Sequence, residues 1–218
     1  MASDGGQLTM SGRPTRERIV DEAMRLFGEQ GYAATSVADI EAAAGLSSGS
    51  GGLYRHFASK KALLEAGVRG QIEVNPSLLD QLASAPTDQP LVVELTALGH
   101  AGIRRLVAEQ DLNRLVVRDL RHFPDLLAQA ADGDLRPVLN GLARWLAQRD
   151  QTGELDAAAL AAVVAGATTS FWLLSDVFGE HPSGVSEERY VAALVRLLGA
   201  VLAPEGTATV AETDRTPE

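Results

Sequence analysis

Residues 35–61 read TSVADIEAAAGLSSGSGGLYRHFASKK. Val37, Ile40 and Ala44 fall three and four apart, which marks one face of a short helix rather than a strand. Thr35 or Ser36 can cap its start, and Asp39, three residues after Ser36, offers the second half of a capping box. Gly45 suits a turn that needs positive φ, and Leu46 can plug the gap to the next helix. That second helix is predicted to run through Leu53 and Phe57, at i and i+4. Ser59 then caps a longer helix bearing Leu63, Leu64 and Val68. Two short helices about a tight glycine turn make a helix-turn-helix, whose second helix enters a DNA major groove. Its outward residues are small and polar, so nothing bulky blocks that entry. Leu53, Phe57, Ile40 and Val37 are expected in the core.

Working upstream, Arg13 to Gln30 places Ile19, Val20, Ala23, Met24, Leu26 and Phe27 on one broad apolar face, and Gly31 stops the helix. Tyr32 is expected to pack rather than to contact a partner. Downstream, Asn75-Pro76 breaks the chain. Further helices are predicted near 90–108, 111–121, 124–148, 156–178 and 186–203, punctuated by Pro90, Pro124, Asp150 to Gly153 and Pro182 to Gly184. The sequence is therefore all-α, with no internal repeat. Residues 204–218 are polar and aperiodic and are expected to be disordered, like the arm at 1–12. The uncharged stretch from Ala157 to Ser175 is long enough for a membrane span. Its Ala, Gly, Thr and Ser content favours a buried or dimer-forming helix instead, and no membrane partner is expected.

The 218 residues carry a net charge of −10 and no cysteine. Disulfides, thiolate catalysis and cysteine-held metals are thereby excluded. The acidity is uneven: residues 11–70 hold 8 basic and 7 acidic side chains, whereas 71–218 hold 11 and 21. A DNA-reading head needs only a local basic face, so the acidic remainder does not exclude nucleic acid. No metal-ligand spacing, nucleophile elbow or phosphate loop is present, and the glycine-rich SSGSGG follows no strand. The chain is expected to be no enzyme, to need no cofactor or metal, and to be cytoplasmic.

Between Thr15 and Leu64 the chain resembles the DNA-binding head of the TetR family of transcriptional regulators. The likeness rests on RERIVDEAMRLFGEQGYAATSVADIEAAAGLS and GLYRHFASKKALL, with their Gly-Tyr, Thr-Ser-Val, Ala-Gly-Leu-Ser and Leu-Tyr-Arg-His-Phe. One departure stands out: Ser48-Gly49-Ser50-Gly51-Gly52 between Ser47 and the Leu-Tyr pair is longer than the family's usual spacing. The second helix is thus expected to start late, with Ser50 as its cap, to be loosely wound, and to order fully on DNA.

The resemblance implies a three-helix head at 13–58 and a larger effector-binding and dimerising body at 59–203. It implies phosphate contacts from Tyr54 and His56, and a hydroxyl and N–H from Thr35 or Ser36. Ser47, Ser48, Ser50 and Gly51 lie where base edges would be read, and Arg55 could reach a base or a phosphate. Lys60 and Lys61 sit in a helix's first turn, where cations oppose the macrodipole unless a phosphate is bound. Arg13 and Arg16 are candidates for a basic arm. A homodimer through the helices near 156–178 and 186–203 would present two heads to a palindromic operator in double-stranded DNA. Arg118, Arg121, His122, Trp145, Phe171 and Trp172 are the candidates for a small-molecule effector pocket. The expected function is ligand-responsive regulation, most often repression. The alternative is a helical scaffold or protein-interaction module with a degenerate DNA-binding head.

Overall fold

Side-chain caps set four of the helix starts among the described residues. A computed structural model describes residues 14–74 and 89–203, which hold helices, turns and irregular stretches and no strand. Helix α1 (Thr15–Gln30) ends at Gly31, whose φ of 95° only glycine adopts readily and whose N–H donates to Phe27 O at 3.0 Å. Helix α2 (Val37–Ala43) starts on the expected capping box: Ser36 Oγ accepts from Asp39 N–H at 3.1 Å, and Asp39 Oδ2 accepts from Ser36 N–H at 2.9 Å. Ser59 Oγ accepts from Ala62 N–H at 3.0 Å and opens α3 (Lys60–Val74).

Then follow α4 (Leu91–Ala108), α5 (Gln110–Arg118), α6 (Pro124–Ala130), α7 (Arg136–Ala147), α8 (Ala157–Phe178) and α9 (Glu187–Leu202). Asp156 and Ser186 cap the last two through Ala159 N–H and Arg189 N–H. Two expected helices are divided. The one predicted over 111–121 stops at Arg118 and gives way to a 3₁₀ turn, Leu120–His122. The one predicted over 124–148 is interrupted by a π-helical turn, Ala131–Leu135. Pro137, just beyond that turn, has no N–H to complete an α-helical bond to Gly133, so the wider turn falls where the ladder would already be broken.

The chain forms two units and passes between them within α4 and α7. Among the described residues the first holds 14–74 with 105–138, and the second 89–104 with 139–203. In the first, Ile19, Phe27, Ile40, Leu53, Leu63, Leu64, Val68, Leu115 and Leu120 are wholly buried around α1. Gly28 lets α5 approach closely, since a Cβ there would lie 2.8 Å from Asp111 Cα. In the second unit, Trp145, Leu146, Ala161, Trp172, Val191, Leu198 and Leu202 form the core. Among the described residues α8 is the one helix long and apolar enough to cross a membrane by length and composition. It and α9 leave Val163, Val177, Phe178 and Leu197 about two-thirds exposed. The arm 1–12, Arg13, the Asn75-Pro76 break and the tail from 204 lie outside the described residues.

Candidate nucleic-acid interface

After α2 the chain turns at Gly45 (φ 72°), and Leu46 packs on the core with its N–H donating to Glu41 O at 2.8 Å. The next six residues do not wind into a helix. Gly49 and Gly51 have φ of 72° and 71°, and Ser50 N–H bonds back to Ser47 O at 3.1 Å. Only Leu53–Arg55 is helical, as one 3₁₀ turn. The α-helix expected through Leu53 and Phe57, capped by Ser50, is thus replaced by an open turn. Left-handed glycines halt a right-handed helix wherever they fall. Leu53 and Phe57 nevertheless occupy the core as expected.

Beneath this segment lies a residue whose sequence context gave no warning. Glu41, on the last turn of α2, is fully buried, and its Oε1 accepts from Leu53 N–H at 2.9 Å. Its Oε2 is also buried and has no hydrogen-bond partner among the described residues. An acidic residue beside Ile40 reads as solvated by default, and only the glycines opposite hint at a close approach.

The residues expected at DNA separate into two groups. Ser36, Ser47, Ser48, Ser50, Tyr54, Arg55, His56 and Lys61 are exposed and Gly51 is half-buried, all on the first unit. Ser48 Oγ donates to Ala38 O at 3.1 Å, tying the turn to α2. Arg16 places its guanidinium 4.7 Å over the Phe57 ring.

Thr35 and Lys60 point inward instead. Thr35 is buried, with Oγ1 donating to Gly31 O at 2.8 Å and Leu26 O at 3.2 Å, so its hydroxyl fastens the end of α1 and Ser36 alone is the exposed cap. Lys60 Nζ donates to Tyr32 O at 2.6 Å and Thr35 O at 2.7 Å, and lies 4.3 Å over the Tyr32 ring. Burial holds its ammonium below the usual lysine range. The cation that opposes the α3 dipole is therefore stabilised by carbonyls of the α1–α2 loop, an internal duty beside the phosphate role expected of it. Tyr32 packs between Phe27 and Phe123, at ring distances of 5.3 and 4.9 Å.

Several effector candidates make contacts within their own unit. Arg118 Nη2 donates to Phe27 O at 2.6 Å and Gly28 O at 3.1 Å, which caps the carbonyl end of α1. Arg121 and His122 are exposed beside one another. In the second unit Trp145 is buried under the Arg149 guanidinium at 3.9 Å, and Trp172 is buried. Phe171 is stacked with Tyr190 at 4.3 Å and with His181 at 4.9 Å. A cavity of about 320 Å³ in that unit is lined by other residues: Gln89, Leu91, Glu94 and 148–151. Among the described residues no cluster of His, Asp or Glu could hold a metal ion.

Residues 19–66 match the sequence model of the family described as bacterial regulatory proteins, tetR family. Over 115 residues the chain is 30% identical to the HTH-type transcriptional regulator YvkB of Bacillus subtilis, covering 53% of this chain and 57% of that protein. Over 63 residues it is 46% identical to the HTH-type transcriptional repressor KstR2 of Rhodococcus jostii, covering 29% of each. The matches thus span little more than half of the curated relatives, or less. In fold the chain is similar to the transcriptional regulator FadR from Bacillus subtilis, solved in complex with stearoyl-CoA. The TM-score is 0.60 at 16% identity, covering 87% of this chain and 99% of that one.

Proposed function

We propose that this chain, a transcriptional regulator of the tetR family, acts as a repressor that binds palindromic operator DNA as a homodimer and leaves it when a small effector binds. The observation that carries the reading is the surface formed by Ser36, Ser47–Gly51 and Tyr54–His56. There a side-chain-capped helix start, a run of serines and three polar or cationic side chains stand exposed, with Ser36 Oγ and Ser48 Oγ also bonded within the head. Tyr54, His56 and Lys61 take phosphates, Arg16 and Arg13 follow the backbone, and Ser48, Ser50 and Gly51 meet base edges. Residues 13–58 serve as the head and 59–203 as the body, which holds the effector. The body dimerises through the apolar face of α8 and α9. The FadR ligand supports a small-molecule effector as a class, and nothing narrower is assigned to this chain. The chain is a cytoplasmic protein in this reading and has no catalytic role.

The test is selection of bound fragments from the source genome, then anisotropy titration of the best fragment across salt concentrations. A short palindrome bound with a steep salt slope is the expected result, because each neutralised phosphate releases counterions. The open turn at 47–52 favours one rival, a protein-interaction module with a degenerate head. A folded dimer that enriches no sequence would establish that rival instead.

A further inference from the structure

The buried carboxylate beneath the exposed segment has a geometry that surface recognition does not explain. A carboxylate can accept from several donors, and a buried oxygen left without one costs free energy. Glu41 satisfies one oxygen with Leu53 N–H at 2.9 Å and leaves the other enclosed and unpartnered among the described residues. Its partner is the first amide of the 3₁₀ turn, and the first amides of any helix lack acceptors within the helix itself. Gly51 and Gly52 precede it. A Cβ on Gly52 would come within 3.7 Å of Glu41 Oε1, so the backbone passes directly over the carboxylate.

We infer that Glu41 is the positioning residue of the DNA-reading segment: an internal cap that fixes Leu53 and keeps a second oxygen ready for another amide when the segment winds into a helix on DNA. This rests on the DNA-binding reading above. The acceptor comes from α2, the element that Ser36 and Asp39 fix at its other end, so the start of the reading turn is set by α2 rather than by its own flexible glycines. The free oxygen adds a driving force. Winding the segment brings a further first-turn N–H toward Oε2 and relieves the unpaired acceptor.

The experiment uses the full chain with Glu41→Ala and Glu41→Gln, read by amide hydrogen exchange without DNA and by affinity for the selected operator. Glu41→Ala is expected to remove protection at Leu53 while α1 and α3 keep theirs, and to weaken operator binding about tenfold or more, the scale of a lost bond to a charged acceptor. Glu41→Gln keeps one acceptor. It is expected to retain Leu53 protection yet to bind operator about threefold more weakly, because its second position is a donor. Should Glu41→Ala not fold, this conservative variant carries the test by itself. Leu53 protection and operator affinity unchanged in both variants, or unchanged in Glu41→Gln alone where the other is unfolded, would overturn the inference. A wild-type chain that binds no operator would sink the DNA-binding reading instead, while exchange at Leu53 would still decide whether Glu41 is the cap.

Discussion

The ammonium of Lys60 lies between two loop carbonyls while that of Lys61 stands in solvent, 3.5 Å from Glu65. Adjacent in sequence and alike in type, they carry different burdens. Lys60→Met keeps the stem but removes the donors to Tyr32 O and Thr35 O, so it is expected to destabilise the chain by about 1–3 kcal/mol in urea unfolding. Lys61→Ala breaks only an exposed pair and is expected to leave stability within about 0.5 kcal/mol while weakening operator binding. The reverse pattern would favour the phosphate role for Lys60. A pH effect of known sign belongs to Glu109, between α4 and α5. Burial pushes its carboxyl up to about 7 from 4.5, although Arg105 Nη2, 2.9 Å away, opposes the shift. Between those values the folded chain keeps a proton that the unfolded chain has lost. The stabilisation is therefore complete below pH 4.5 and is lost as pH rises through 7. Glu109→Gln is expected to flatten that decline, read as urea midpoints at pH 5 and pH 8. Equal slopes in variant and wild type would show that Glu109 does not titrate there. Neither inward role was legible from sequence, because periodicity reports which face is apolar and not where a long cation folds back to loop carbonyls.

At the level of elements, the caps were the legible part. Ser36 with Asp39, Ser59 and Gly31 begin or end helices where their local chemistry demands, since each satisfies terminal amides or carbonyls regardless of distant packing. The helix expected through Leu53 and Phe57 is absent: their helical spacing holds although the 3₁₀ turn that starts at Leu53 ends at Arg55. Two points of pattern cannot separate one turn from three. The long apolar pattern over 124–148 hid its π turn for a similar reason, as Pro137 interrupts bonding without disturbing the face. Gly49 now offers a test of what the open turn becomes. It has φ of 72° and nothing within 4 Å of an added Cβ, so alanine meets backbone strain alone. In the free chain that strain is about 1–2 kcal/mol. In a wound segment the same alanine is favoured by about 1 kcal/mol over glycine. Both effects push toward helix, and Gly49→Ala is expected to tighten operator binding about tenfold or more in anisotropy titrations. Weaker binding would mean that the left-handed turn persists on DNA.

For the whole molecule, charge and apolar surface are divided in a way that suits a paired regulator. Residues 11–70 are nearly balanced in charge and carry the exposed hydroxyls and cations, whereas the acidic surplus lies beyond them. In the proposed reading, an acidic surplus beyond the head disfavours DNA there and leaves the head as the point of approach. The second unit shows the complementary feature. Val163, Val177 and Phe178 on α8 and Leu197 and Val201 on α9 are exposed, although α8 and α9 are capped, regular and well packed on their inner sides. Full burial of such side chains is worth about 1.5–3 kcal/mol each, so a matching face on a second copy would gain enough to hold a dimer. Leu197 is the sharpest probe. At 68% exposure it packs little against the described residues, so replacing it should not unfold the protein. Leu197→Asp is expected to give a folded monomer by sedimentation, with the wild-type melting profile at high dilution. Its affinity for the palindrome should fall by about a hundredfold or more, because one head then binds without the effective concentration supplied by the other. Leu197→Ala, which shortens the contact without a charge, should dimerise more weakly and recover wild-type DNA binding at higher protein concentration. A Leu197→Asp chain that stays dimeric would move the interface off this face, and a monomer with undiminished affinity would show that a single head suffices.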